Sequence, residues 1–145
     1  MKAAEIAVQI PALTPSVHTS FVIDTLNYLH KGGRCSGTEL LIGSLLKIRP
    51  VIEVRKDGSL GVQKKISGSR KKALDSLIVD FKSNLVNVNS HRIFITHTLC
   101  DTDAAYIKEE IARLGQFDEI CTTVAGSTIA SHCGPNTIGI LYLTK

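Results

Sequence analysis

The sequence predicts an α+β (mixed α/β) fold, a largely antiparallel sheet of about five short strands with helices packed on it. Three observations predict it. Two alternating runs, Val51–Arg55 and Gly61–Ile66, flank Lys56-Asp57-Gly58-Ser59, which reads as a hairpin with a D-G turn and forces antiparallel pairing. Ala73, Leu74, Leu77, Ile78 and Phe81 step by three and four, the period of a helix that buries one face. Further on, the apolar runs Arg92–His97, Glu119–Val124 and Ile138–Leu143 are separated by a helical stretch and by a loop of small residues.

In chain order, residues 1–20 read as an extended, proline-broken connector ahead of a domain over 21–145. Phe21, Ile23, Leu26 and Leu29 sit near helical spacing and predict a short helix over Phe21–His30. Lys31-Gly32-Gly33-Arg34 stops it, with Gly32 as the left-handed cap. Ser36 and Glu39 form a capping box for a helix over Ser36–Lys47 that is apolar almost all round, notched by Gly43-Ser44 and ended by Pro50. After the hairpin a long helix runs from about Ser69 to Leu85. Arg92–His97 is a strand, and Asp101–Leu114 a helix capped by Asp101 or Thr102. Glu119–Val124 is a strand, Ala125–Asn136 a loop with a helical turn, and Ile138–Leu143 the last strand.

The chain has 145 residues, 43% of them hydrophobic and 21% charged, which suits one globular domain with an aliphatic core and no Trp. A net charge of +4 points weakly to an anionic partner. Cys35, Cys100, Cys121 and Cys133 form no C-x-x-C pair and read as free thiols of a cytoplasmic protein. Residues 6–23 carry no formal charge, but Pro11, Pro15, Gln9 and His18 interrupt them, against a membrane span or signal peptide. No nucleotide-binding glycine motif follows a strand, and the His and Cys residues lack zinc-ligand spacing, so no cofactor or metal is expected.

Three places carry candidate chemistry. In Gly32-Gly33-Arg34-Cys35-Ser36-Gly37, two glycines permit close backbone approach and Arg34 offers a planar fork of donors to an anion; a plain helix–helix turn is the competing reading. In Gly126–Asn136, small residues surround His132, which suits either a carboxylate or phosphate contact or an ordinary loop histidine. His132 with Cys133 or Ser131 also suggests a small hydrolase or transferase, although sequence neighbours on a turn seldom face each other. Lys64, Lys65, Arg70, Lys71 and Lys72 form a basic run, which opens a nucleic-acid-binding alternative that the scarcity of aromatic residues disfavours. His97 ends a strand ahead of a helix start, and Asp101 and Asp103 there are best explained as helix-start residues.

The run Thr25–Arg34 resembles the D-T-L-x-Y-L-x-x-G-G-R-I-S motif of the DegV family. The likeness continues through Leu41–Pro50, the Asp57-Gly58 hairpin and Arg70-Lys71-Lys72-Ala73-Leu74, and closes on Ser131-His132-Cys133-Gly134-Pro135, which is similar to the family's G-T-H-T-G-P-G. This resemblance implies a carrier and not an enzyme: the C-terminal domain of a cytoplasmic protein that binds a long-chain fatty acid and presents its carboxyl group to a partner fatty acid kinase. It implies that Arg34 and His132 belong to the carboxylate network and that Arg70 faces the kinase. It also implies that Leu40, Leu41, Ile42, Gly43, Leu45 and Leu46 line the acyl tail. The family's N-terminal domain, with its T-D-S-T-A-D-type motif, has no counterpart in these residues. A domain without that partner exposes an apolar face that favours self-association. Cys35 and Cys133 stand where an aliphatic residue and a Thr are common in the family, and Gly68-Ser69 replaces part of a more basic run.

Overall fold

The computed structural model describes residues 1–35 and 48–145. The helix expected over Ser36–Lys47, with the tail-lining residues Leu40, Leu41, Ile42, Gly43, Leu45 and Leu46, lies outside them. Among the described residues eleven α-helices and strands follow in chain order: α1 Ala3–Leu13, β1 Val17–Val22, α2 Asn27–Lys31, β2 Ile48–Val54, β3 Leu60–Ser67, α3 Arg70–Ser83, β4 Val88–His97, α4 Asp101–Ala112, β5 Glu119–Val124, α5 Ser127–Cys133 and β6 Ile138–Thr144.

Among the described residues the strands form one six-stranded sheet in the order β3-β2-β1-β6-β4-β5. Pairing is antiparallel except for β4 with β5. The class is therefore the α+β, largely antiparallel arrangement that the hairpin and helix periods predict. The hairpin, α3, β4 and β5 fall where expected, with Ser69 capping α3 through the Lys72 backbone N–H at 3.3 Å. Asp57 holds the hairpin turn by accepting from the Ser59 backbone N–H at 2.9 Å, and Gly58 supplies its positive φ of 83°.

Five expectations need correction. Residues 1–20 are not extended: α1 forms because Ala3–Ile10 is rich in helix formers, and the Glu5 carboxylate accepts the Lys2 backbone N–H at 2.8 Å. Pro11 lies inside this helix, where its missing N–H costs one intrahelical hydrogen bond. Phe21 and Val22 belong to β1, not to a helix over Phe21–His30; the helix is confined to α2. Pro50 lies within β2, where its carbonyl accepts the Ile23 N–H at 3.3 Å. The left-handed residue of the glycine pair is Gly33 at φ 73°, while Gly32 is right-handed at −79°. The N-cap of α4 is Cys100, one residue ahead of Asp101.

The sheet has two unlike faces. On one, α3 and α4 bury Leu74, Leu77, Phe81, Ile107 and Ile111 against Val22, Val51, Ile93, Ile95 and Ile140. On the other, a smaller cluster of Ile23, Leu26, Leu29, Ile52 and Cys133 seats α2 against α5. Alternation explains the division: the adjacent pairs Val22/Ile23 and Val51/Ile52 send one member to each cluster. Since α2 and α5 are short, they cover one end of this second face. The remainder is floored by β1, β4 and β6 and leads to the candidate site.

Candidate functional site

A cavity of about 290 Å³ opens on the second face. Its floor is Thr19 and Phe21 of β1, Thr96 of β4, and Gly139 and Leu141 of β6. Val54 and Leu60 of the hairpin wall one side, and Ile129, His132 and Cys133 of α5 the other. Gly139 keeps the floor low, because a Cβ there would stand 2.8 Å from the Phe21 Cβ and 2.9 Å from the Ser20 carbonyl oxygen. Beyond Leu141 the apolar surface continues along the same strands into a groove of about 370 Å³ that includes Val17, Phe94 and Leu143.

Arg34 and His132 both line this cavity, although 98 residues separate them in sequence. Gly32 brings their two turns together: the His132 ring lies directly over its Cα, and a Cβ at position 32 would be 2.3 Å from His132 Cδ2. That contact accounts for a glycine at a position whose φ any residue could adopt. Gly33 and the Leu29 carbonyl, which accepts the Arg34 N–H at 2.7 Å, then turn the chain so that Arg34 reaches the cavity edge. The Arg34 guanidinium donates from Nη1 to the Gly32 carbonyl and is otherwise exposed.

The imidazole of His132 is oriented by its own helix. Its Nδ1 lies 2.7 Å from the Thr128 carbonyl, which can only accept, so Nδ1 carries the proton. Nε2 is left on the Gly32 side with no hydrogen-bond partner among the described residues. In the neutral ring it accepts a proton from an acid; in the charged ring it donates to an anion. The same geometry argues against the hydrolase alternative. Ser131 Oγ donates to the Thr128 carbonyl at 3.0 Å, and a protonated Nδ1 cannot take its hydrogen. Cys133 is buried in the smaller cluster, and burial raises its thiol pKa, which disfavours the thiolate.

Arg70 lies elsewhere, at the start of α3. Its Nη1 donates to Asp24 Oδ1 at 3.0 Å, its Nη2 to the Asn136 carbonyl at 2.9 Å, and its Nε to Asp103. Burial opposes its charge, but Asp103 and Asp24 more than compensate, so its pKa is raised. Lys64 pairs with Asp80 and Lys71 with Asp75, so three of the five cations of the basic run are neutralised locally. This leaves little free charge for a phosphate backbone. Among the described residues no group of three metal-ligating side chains converges, and no helix is long and apolar enough to cross a membrane. Sequence reasoning missed the floor residues Thr19, Phe21, Thr96, Gly139 and Leu141, which carry no motif and are brought together only by the sheet order.

The fold and cavity together define an α/β domain built around an apolar cavity with an imidazole and a guanidinium at its edge. The chain belongs to the DegV family: the family model, described as an uncharacterised protein of the DegV family, matches residues 1–145. A DegV domain-containing protein of Clostridium perfringens is 37% identical over 123 residues, covering 85% of this chain and 42% of the relative. One of Clostridium acetobutylicum is 35% identical over 125 residues, or 86% and 43% of the two chains. The solved fatty acid binding DegV family protein SAG1342 from Streptococcus agalactiae superposes with a TM-score of 0.83 at 28% identity, covering all of this chain and 50% of that one. The Streptococcus pneumoniae fatty acid kinase B3 protein, solved with linoleic acid, shares the fold at a TM-score of 0.81 and 21% identity, over all of this chain and 50% of its own. The chain thus spans about half the length of the relatives it matches.

Proposed function

We propose that this chain forms the acyl-binding half of a fatty-acid carrier, and that the assembled protein presents the ligand's carboxyl group to a partner fatty acid kinase. The observation that carries the reading is the cavity itself, an apolar hollow whose polar edge is formed by Arg34 and His132. An acyl tail gains about 0.8 kcal/mol per buried methylene in such a site. The carboxyl group needs a donor and a counter-charge at one end, which Nε2 of a charged His132 and the Arg34 fork supply. Membership of the DegV family and the fatty-acid-binding neighbours add support. On this reading the protein is a carrier and not an enzyme, works in the cytoplasm, and has its remaining carboxylate ligands on a further domain like the second half of its relatives. Arg70 belongs to the kinase-facing surface, which it shapes as part of its ion-pair cluster.

The test is native mass spectrometry of the protein purified from cells, with His132→Ala beside the unmodified chain. An adduct of fatty-acid mass is expected, weakened in the variant. Absence of any such adduct, together with no uptake of added fatty acid, overturns the reading.

A further inference from the structure

The two turns that meet at the edge of the cavity are far apart in sequence, and one carboxylate outside the cavity ties them together. We infer that Asp24 is a positioning residue of the head-group site, holding the turn that follows His132 in register with the turn that carries Arg34. The inference rests on the reading of Arg34 and His132 as the head-group residues.

Asp24 lies between the end of β1 and α2, so the chain leads from it through Leu26 and Leu29, buried on the second face, to Gly32 and Arg34. Its Oδ1 accepts from Arg49 Nε and Arg70 Nη1, each at 3.0 Å, and its Oδ2 accepts from Asn136 Nδ2 at 3.0 Å. Asn136 is gripped three times: by Asp24 at its amide, by Arg70 Nη2 at its carbonyl, and by the Thr98 carbonyl, which accepts its N–H at 2.8 Å. It needs that support because it stands at φ 59°, a left-handed conformation uncommon outside glycine. The next residue, Thr137, is buried and donates its hydroxyl to the carbonyls of Cys133 and Gly134 at 3.0 and 3.1 Å, closing the end of α5. His132 is the neighbour of Cys133 on that helix. A continuous set of bonds therefore runs from Asp24 through Asn136 and Thr137 to the helix carrying His132, while the backbone runs from Asp24 to Arg34.

Asp103 supplies a control, since it pairs with the same Arg70 but has no bond to Asn136. Asp24→Asn keeps the shape and removes the charge. Asn136→Gly removes the amide and keeps a residue suited to positive φ. In each variant we expect the ring signals of His132, assigned by their loss in His132→Gln, to shift in the NMR spectrum. Binding of the fluorescent fatty acid cis-parinaric acid should weaken roughly tenfold, the loss of one charge-assisted hydrogen bond. Asp103→Asn should leave both readouts unchanged. Unmoved ring signals in a folded Asp24→Asn protein overturn the inference, and an equal shift in Asp103→Asn does the same. If Asp24→Asn does not fold, Asn136→Gly decides by the same criterion. If the unmodified chain binds no fatty acid, the functional reading falls, while the ring signals still decide the role of Asp24.

Discussion

Gly32 shows how much of the site is set by what a residue lacks. Its φ of −79° is open to any side chain, so only the His132 ring above it demands glycine. In Gly32→Ala the new methyl would sit 2.3 Å from His132 Cδ2. Overpacking of this kind costs about 1–3 kcal/mol, so the urea midpoint should fall, and fatty-acid affinity should fall with it as the imidazole is displaced. His18 offers a second test. It stacks on Tyr142 at 4.6 Å, and burial lowers its pKa below the ordinary 6.5, with Asp80 and Glu53 opposing the shift. Below pH 6.5 the unfolded chain therefore takes up a proton that the native ring resists. The associated stability is present above 6.5 and declines as pH falls toward the depressed value. His18→Phe keeps the stack and removes the proton, so its stability should change less between pH 7 and 5. An identical pH profile in thermal unfolding would refute the assignment.

Among the elements, α3 is the one whose packing follows most directly from its sequence. Ala73, Leu74, Leu77, Ile78 and Phe81 form one buried stripe, and Leu77 is 1% exposed. Leu77→Ala should cost about 2–5 kcal/mol in chemical denaturation, since the site is walled by the sheet on one side and cannot collapse freely. The opposite case is α1, which has no buried residue although Ile6, Val8, Ile10 and Leu13 are apolar. Its removal should leave the unfolding free energy of the sheet within about 0.5 kcal/mol, as for surface changes generally.

For the whole molecule, the two faces of the sheet differ in that one holds the main core and the other opens into the cavity. Among the described residues the first face is closed by two long helices, whereas α2 and α5 close only one end of the second. If a fatty acid enters there, it binds the folded chain alone and stabilises it by mass action. At one hundred times Kd that is about 2.7 kcal/mol, or roughly 5–11 °C in Tm for a chain of this size. A thermal scan with and without added fatty acid reads the shift directly, and an unchanged Tm would count against binding by this chain on its own.

The local signals were legible without coordinates: the D-G hairpin, the helical period of α3, the strands β4 and β5, and the glycine-rich turns carrying Arg34 and His132. Each depends on residues within a dozen positions of one another, where turn chemistry and periodicity act. β1 was not legible. It lies between β2 and β6 and buries residues on both faces, so Phe21-Val22-Ile23 shows no alternation and equally suits the start of a helix. The extended reading of residues 1–20 failed for a related reason, since two prolines suggested a break while helix propensity on the N-terminal side of Pro11 prevailed. Arg70 resembled a surface cation in the sequence, and the fold surrounds it with Asp24, Asp103 and Asn136. The sequence by itself determined the fold class, the hairpin, α3, β4, β5 and the two polar residues at the cavity edge. Only the tertiary structure decided that Gly32 meets His132 and that Asp24 meets Asn136, because those contacts span 100 and 112 residues and exist only once the sheet order is formed.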